Sequence, residues 1–425
     1  LDNPDIMFNS NNYNIVNLFR EGLTGHHGWP VAWRSPEPKP HYDAIIIGGG
    51  GHGLATAYYL AKVQGMRNIA ILEKGWIGGG NTGRNTTNVR SDYMFPESAK
   101  LYNMALGLYE TLGQDLNYNI MLSQRGWLTL IHDQHQLETA KHKANWLNCN
   151  GVDGEIISAE RVRKMLPRMN TQDNPRFSVK GAFLQERGGT IRHDAVAWGY
   201  ARAADRLGVD IIQNCAVEGF DFNGGKILAV RTSRGRIETD RVGVAVAGHS
   251  GTVADMAGFK LPITSHCLQA MVSEPVRPSL DHVVISPGTG VYINQTQKGE
   301  MVMGGVLDHY HSYAQRGNFP TVEKVITAAV EMFPDLAQMR LMRHWAGIVD
   351  ISPDSSPILG KTPIPNMYIN CGWGTGGFKA IPAGGYLLAH HMATGSSHAI
   401  AKNFSMDRFH ENRLIDEGAA AGIAH

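Results

Sequence analysis

The chain lacks most of what would tie it to a membrane, a nucleic acid or a metal. No run of about 18 apolar residues occurs, so no helix is expected to span a bilayer. Lys plus Arg (39) and Asp plus Glu (38) nearly cancel, giving a net charge of +1 with no nucleic-acid footprint. Cysteine is scarce. Its four copies, Cys149, Cys215, Cys267 and Cys371, form no C-x-x-C and show no metal-type spacing, which points to a reduced, cytoplasmic chain. The histidines, His309, His311, His390 and His391 among them, show no metal spacing either, so no metal is expected. The N-terminus has no basic segment leading into an apolar stretch and is not expected to be a secretion signal. What is plentiful is apolar side chain, 43% of 425 residues, and glycine, 49 in number. That is material for a large core and two to three domains at about 150 residues each.

The glycines are concentrated where chemistry needs them. Ala44-Ile-Ile-Ile-Gly48-Gly-Gly50-Gly-His-Gly53 runs from an apolar strand into Gly-x-Gly-x-x-Gly and then into a helix-like segment, Leu54 to Val63. A second apolar run, Ile69 to Leu72, ends at Glu73, about twenty residues past Gly53. Strand, glycine turn, helix, strand and acid together are the dinucleotide fingerprint in its full context. Gly48 permits the tight turn, Gly50 lets backbone approach a pyrophosphate, and Gly53 lets the helix pack on the strand. The helix N-terminus, with Gly51 and His52, offers N–H groups and positive dipole to phosphates. Glu73 can accept hydrogen bonds from a ribose. Read alone, the same glycines would suit an ordinary glycine-rich turn.

Two more glycine segments point at the same ligand. Gly78-Gly-Gly-Asn-Thr-Gly-Arg-Asn85 can supply backbone donors, with Asn81, Thr82, Arg84 and Asn85, to a pyrophosphate. Gly372-Trp-Gly-Thr-Gly-Gly-Phe-Lys379 follows the strand Asn366 to Cys371 and precedes a helix over 383–393. Its N–H groups, around Gly374, Gly376 and Gly377, suit the pyrimidine end of a flavin and negative charge on its reduced ring. Lys74, Thr87, Val217 and Gly248 complete the expected cofactor contacts.

Periodicity outlines the rest. Residues 1–41 are polar and lack sustained periodicity, which predicts an extended arm. Helices are expected over 97–115, 137–147, 159–166, 194–207 and 320–333, and strands over 127–131, 209–213 and 241–248. A hairpin is expected to turn at Asn223-Gly224-Gly225, and residues 263–310 alternate as in an antiparallel sheet. The fold class is α/β (α+β). A discontinuous Rossmann-like nucleotide domain takes 42–100, 150–262 and 345–405. A mainly antiparallel-sheet substrate domain takes 101–149 and 263–344. Residues 406–425 form a C-terminal tail which, with the arm, is a candidate interface.

The fingerprint, the Gly-Arg-Asn loop, Gly372 to Lys379 and Ser352-Pro-Asp-Ser-Ser-Pro-Ile-Leu-Gly360 resemble the D-amino-acid oxidase superfamily of flavin amine oxidases. Gly-Gly-Gly-Gly-His-Gly at 48–53, Leu72-Glu-Lys-Gly-Trp76, Gln185-Glu-Arg-Gly-Gly-Thr-Ile-Arg-His193-Asp194 and Leu414-Ile-Asp-Glu-Gly are similar to the beta subunits of heterotetrameric sarcosine oxidases. The resemblance covers about residues 42 to 425.

It implies oxidation of N-methylglycine by FAD, with electrons passed to FMN and then to oxygen as hydrogen peroxide. The one-carbon unit leaves as formaldehyde or passes to tetrahydrofolate on a large alpha subunit, with gamma and delta subunits completing the assembly. It implies Arg90 and Lys379 as carboxylate-holding cations and His193 as the covalent FMN attachment. Asp194 is a candidate helper for that linkage, or equally a helix cap. Single-chain relatives link FAD to a cysteine, but the aligned Trp345-Ala-Gly-Ile-Val-Asp-Ile-Ser-Pro-Asp354 has none, so FAD is expected to be non-covalent. His52 is expected near the flavin or as a neutral helix-start residue, and Tyr292 in the substrate cavity. The alternative within this chemistry is another secondary-amine or amino-acid oxidase or dehydrogenase, such as a dimethylglycine- or glycine-oxidase-like enzyme. A nicotinamide dehydrogenase would not need the late glycine segment, and a pure scaffold would not need Arg90 and Lys379.

Overall fold

The computed structural model describes residues 14–27, 31–170 and 177–415. Its centre is a six-stranded sheet ordered Ile358–Lys361, Met367–Cys371, Val242–Val244, Ala44–Ile47, Ile69–Leu72 and Asp210–Ile212. All but the first run parallel. The strands Ala44–Ile47, Ile69–Leu72 and Met367–Cys371 are buried at every position, as parallel strands covered on both faces must be. Helices Gly51–Lys62, His193–Arg206, Pro96–Asp115 and Ile381–Thr394 cover one face. The other face packs against a four-stranded sheet, His41–Tyr42, Gly235–Thr239, Lys226–Thr232 and Val217–Asn223, and the short helix Ser250–Met256.

An eight-stranded sheet forms the second body, ordered Leu341–Ile351, Thr264–Pro275, Glu300–His311, Val291–Gln295, Val283–Ser286, Trp127–Ile131, Gly181–Gln185 and Glu155–Ser158. It is antiparallel except where Val283–Ser286 meets Trp127–Ile131. Helices Ala159–Met165 and Phe319–Met332 pack on it through an apolar cluster that includes Val162, Val325 and Ala329. Among the described residues no helix is long and apolar enough to cross a membrane, and no group of three or more His, Cys, Asp or Glu could hold a metal ion.

The chain is divided differently from the sequence expectation in four places. Glu155–Ser158 and Gly181–Gln185, expected with the nucleotide part, pair with each other and with Trp127–Ile131 in the eight-stranded sheet. Strand Leu341–Ile351 carries that sheet across the boundary drawn at 345. Helix Pro96–Asp115, cut by the boundary at 100, packs instead on Ile381–Thr394 through Leu101, Tyr102 and Ala105.

The terminal segments differ as well. Residues 14–27 are not extended, because Asn14 caps a helix, Ile15–Leu23, by accepting from Asn17 N. Residues 1–13 lie outside the description. Arg34 and Lys39 pin the following stretch to Asp205 and Asp210 at 2.8 and 2.7 Å. The tail up to Ile415 is fastened to the core at Arg408 and Ile415, while His410 to Leu414 between them are exposed. Arg408 is buried with the Nε–Nη2 edge of its guanidinium on Asp354, at 2.7 and 2.9 Å, and its Nη1 donating to the carbonyl of buried Phe404.

Candidate active site

Parallel strands deliver their C-terminal ends to one crevice, where open α/β sheets bind ligands. Ile47, Leu72, Ala245 and the turn after Cys371 all reach a cavity of about 520 Å³ between the two bodies. The fingerprint turn is built as the glycines dictate. Gly48 has φ +110°, and a Cβ there would sit 2.4 Å from Ala245 O. A Cβ on Gly53 would lie 1.9 Å from Gly48 O, so any other residue would push the helix off its strand. Gly53 therefore packs beneath the turn and does not line the cavity, whereas Gly48, Gly50, Gly51 and His52 do.

The Glu73 carboxylate is held by backbone. Oε2 accepts from Gly49 N and Oε1 from Gly75 N, each at 2.8 Å. A carboxylate has about four lone-pair sites, so acceptor capacity remains for a ribose. Lys74 reaches His249 at 3.3 Å and lines the same end with Val217 and Gly248.

The second glycine loop folds over the first. Thr82 Oγ1 accepts from Gly51 N at 2.9 Å, on the first turn of the fingerprint helix. Asn81 clasps strand Leu341–Ile351, accepting from Ile348 N at 2.9 Å and donating to Ile348 O. Arg84 curls back on its own loop, donating to Gly79 O and Gly80 O and to Gln315 Oε1 at 2.8 Å. Burial pulls its guanidinium below the ordinary range. Asn85 also lines the cavity. Thr87 does not. Its φ is +70° and its carbonyl accepts from Ile191 N, leaving Thr86 to face the cavity instead.

In the third segment Gly374, Gly377 and Lys379 line the cavity. Gly376 faces the other way, where a Cβ would come within 2.0 Å of the Tyr102 hydroxyl. His52 ties this segment to the fingerprint helix. Its Nε2 donates to Gly377 O at 2.8 Å and its Nδ1 accepts from Asn370 Nδ2 at 3.2 Å. Burial pushes the imidazole down to about 4, against the opposing pull of the Gly377 carbonyl, so the ring is neutral.

Arg90 and Lys379 both line the cavity, as do Trp127 and Tyr292, and the Arg90 charge is felt by Lys379. The Arg90 guanidinium lies 4.6 Å from the Tyr93 ring and 5.0 Å from the Trp127 ring and pairs with buried Asp92. Lys379 donates to Thr375 O at 3.0 Å. Burial first, then the Arg90 charge, bring its ammonium down to about 7, with Asp92 acting the other way. Tyr292 is buried and its phenol is pushed up to about 12 by burial, with a hydrogen bond to Thr86 opposing.

His193 stands apart from the cavity, in the first turn of its helix. Nδ1 is buried and has no hydrogen-bond partner among the described residues, and burial lowers the imidazole's proton affinity. Asp194 is not the cap. The cap position is Arg192, whose guanidinium the Asp194 carboxylate holds at 2.6 and 2.7 Å while Oδ1 accepts from Ala195 N.

Asp350 was not foreseen. It lines the cavity, accepts from Gly372 N at 2.5 Å and also from Trp373 N, and burial raises its carboxyl to about 7 against those bonds. A lone acid inside the apolar run Gly-Ile-Val-Asp350-Ile was the available signal.

The model of the family described as FAD dependent oxidoreductase matches residues 43–391. Sarcosine oxidase subunit beta of Rhodobacter capsulatus is 50% identical over 413 residues, 97% of this chain and 99% of that protein. The protein of the same name from Rhizobium meliloti is 51% identical over 405 residues, 95% of this chain and 97% of that one. Among solved structures, L-proline dehydrogenase from P. horikoshii superposes with a TM-score of 0.83 at 25% identity, covering 89% of this chain and all of that one.

Proposed function

The chain belongs to the FAD-dependent oxidoreductases and, among them, to the beta subunits of sarcosine oxidase, and on that premise we propose that it oxidises sarcosine to glycine with oxygen reduced to hydrogen peroxide. The one-carbon unit leaves as formaldehyde, or as methylene-tetrahydrofolate on a partner subunit. Bound non-covalently in the crevice, FAD supplies the two-electron acceptor.

The chain's own residues do the rest. Gly48, Gly50 and the helix that follows would take the pyrophosphate, Glu73 the ribose, and the segment Gly372–Lys379 the pyrimidine end. A small zwitterion has little apolar surface to bury, so its affinity must come from charge-assisted bonds. Arg90 and Lys379 would provide them, in a cavity that Trp127 and Tyr292 also line. The observation that carries the reading is the convergence of these two cations on the cavity that the parallel strands also reach.

His193 is the proposed site of covalent FMN, supported by its buried, unpartnered Nδ1. This chain then works with alpha, gamma and delta subunits; what supports a multi-subunit assembly is that its relatives are each named a beta subunit. The four free thiols support a reducing compartment, the cytoplasm.

Acid precipitation of the purified assembly tests both flavins. FAD should appear in the supernatant and FMN in the pellet, on the peptide bearing His193. His193→Ala should clear the pellet of flavin and leave releasable FAD intact. FMN mass on another residue, or no covalent flavin in the complete assembly, would overturn that assignment. Absence of releasable FAD would overturn the first.

A further inference from the structure

The short strand Asn88–Val89 and its flanking residues alternate along the cavity wall. Thr86, Asn88 and Arg90 line the cavity, while Thr87 and Val89 do not, which is the two-residue period of extended chain. The strand packs against Phe378–Ala380, the helical turn that carries Lys379. Asn88 is thus an uncharged, buried polar side chain on the wall that also bears the cations of the site.

Its carboxamide is oriented from behind. Asn294 is buried, does not line the cavity, and comes from strand Val291–Gln295, two residues past Tyr292. Its Nδ2 donates to Asn88 Oδ1 at 2.8 Å and to Thr86 O at 3.3 Å. A backbone carbonyl only accepts, so Thr86 O fixes which end of the Asn294 carboxamide faces it. Asn294 Oδ1 is left buried without a partner among the described residues, and turning the group over would set that oxygen against Thr86 O. With Asn294 held as the donor, Asn88 must present Oδ1 to it. Asn88 Nδ2 is then left over, and it has no acceptor among the described residues.

An amide N–H group only donates. The ammonium of an amino-acid zwitterion only donates too, and a free amine that accepted this bond would have its lone pair tied up when oxidation needs it. The carboxylate is the acceptor that remains. We propose that Asn88 Nδ2 is a substrate-binding donor to the carboxylate of the amine. A carboxylate has about four lone-pair sites, so a cation and an amide bind it together. The cation supplies charge, and the amide supplies direction without adding charge. The proposal rests on the reading that the cations of this cavity hold the substrate carboxylate.

The test uses the assembled, FAD-loaded enzyme at pH 6, with acetate as probe and the flavin absorption change as readout. Asn88→Leu keeps the size of the side chain and removes the donor. It should weaken acetate about tenfold, equal to about 1.4 kcal/mol, and raise KM for the amine more than it lowers kcat. Asn88→Asp keeps an oxygen for Asn294 Nδ2 to donate to, so its packing is preserved, but it sets an anion in place of the donor. It should weaken acetate further than Asn88→Leu does. Releasable FAD, measured by fluorescence, should be unchanged in both. Weak acetate binding in Asn88→Leu with wild-type binding in Asn88→Asp would be a packing defect and would overturn the proposal. Loss of FAD in step with acetate would assign the donor to the flavin and overturn it as well. Wild-type acetate affinity in both variants, with Lys379→Met still weakened, would overturn it while leaving the cation reading in place. If Lys379→Met also binds acetate normally, that reading falls and the proposal with it.

Discussion

His52 and Trp373 stack with ring centroids 4.9 Å apart and planes inclined by 25°. The contact joins the first glycine segment to the last, across 321 positions of chain. It is reinforced by the hydrogen bonds of His52 to Gly377 O and Asn370 and by one from Trp373 Nε1 to Asn370 Oδ1. His52→Phe keeps a ring for Trp373 but leaves Gly377 O and Asn370 without these partners. It should cost about 1–3 kcal/mol of stability, the range for stranded buried polar groups. Chemical denaturation of wild type and variant, with an unchanged m-value, measures it. A shift below about 0.5 kcal/mol would show that the stack alone joins the segments.

Glu73 holds Gly49 N and Gly75 N as well as facing the nucleotide end. Glu73→Ala should weaken FAD by about 1–3 kcal/mol, the cost of a lost charge-assisted bond. Fluorescence titration of apoprotein with FAD reads the change directly. Unaltered FAD affinity would count against this residue as the ribose acceptor.

Lys379 should make carboxylate binding pH-dependent in a defined sense. Its ammonium, displaced from 10.5 to about 7, is charged below that value and neutral above it. Acetate should therefore bind tighter below pH 7 and lose affinity as pH rises through 7, and binding near pH 7 should take up a proton. Asp350 acts in the same direction, since its carboxyl, raised to about 7, becomes an anion over the same range. Lys379→Met should lower affinity about tenfold or more at pH 6 and leave only the Asp350 contribution to the slope. An undiminished slope in that variant would assign the whole dependence to Asp350.

Arg408 and Asp354 form a pair with side chains 1% and 0% exposed. Arg408→Met strands a buried carboxylate and should destabilise the fold by about 3–5 kcal/mol. Burial alone would raise the Asp354 carboxyl, but the Arg408 bonds and charge bring it below its usual range. Its pairing energy is thus present above the unfolded carboxylate value, about 3.9, and is lost as pH falls through the lower folded value. Wild type should shed that stability on acidification, and Arg408→Met should not. Urea midpoints at pH 7 and pH 3 distinguish the two.

The nucleotide unit was legible because its determinants are local. A turn that admits only glycine at Gly48, a helix that can touch its strand only over Gly53, and an acid at the end of Leu72 are demands made within one stretch of backbone. The late segment ending at Lys379 was legible for the same reason. Local pattern also misled. Asn14 and the apolar spacing of Ile15, Leu18 and Phe19 start a helix inside a stretch that reads as polar arm. Gly376 and Thr87 look like their neighbours but do not line the cavity: Gly376 abuts the Tyr102 hydroxyl and the Thr87 carbonyl accepts from the Ile191 amide.

Sequence by itself determined the fold class and the glycine turns, and family resemblance singled out Arg90 and Lys379, both of which line the cavity. Tertiary structure decided which strands share a sheet, since pairing is chosen among distant segments by burial and register. It decided that Arg408 is core, because its acid lies 54 positions away. It also decided the electrostatics of the site. That Lys379 titrates near 7, and that Asp92 answers to Lys143 as well as Arg90, follows from charges brought together out of water, and no local spacing records those distances.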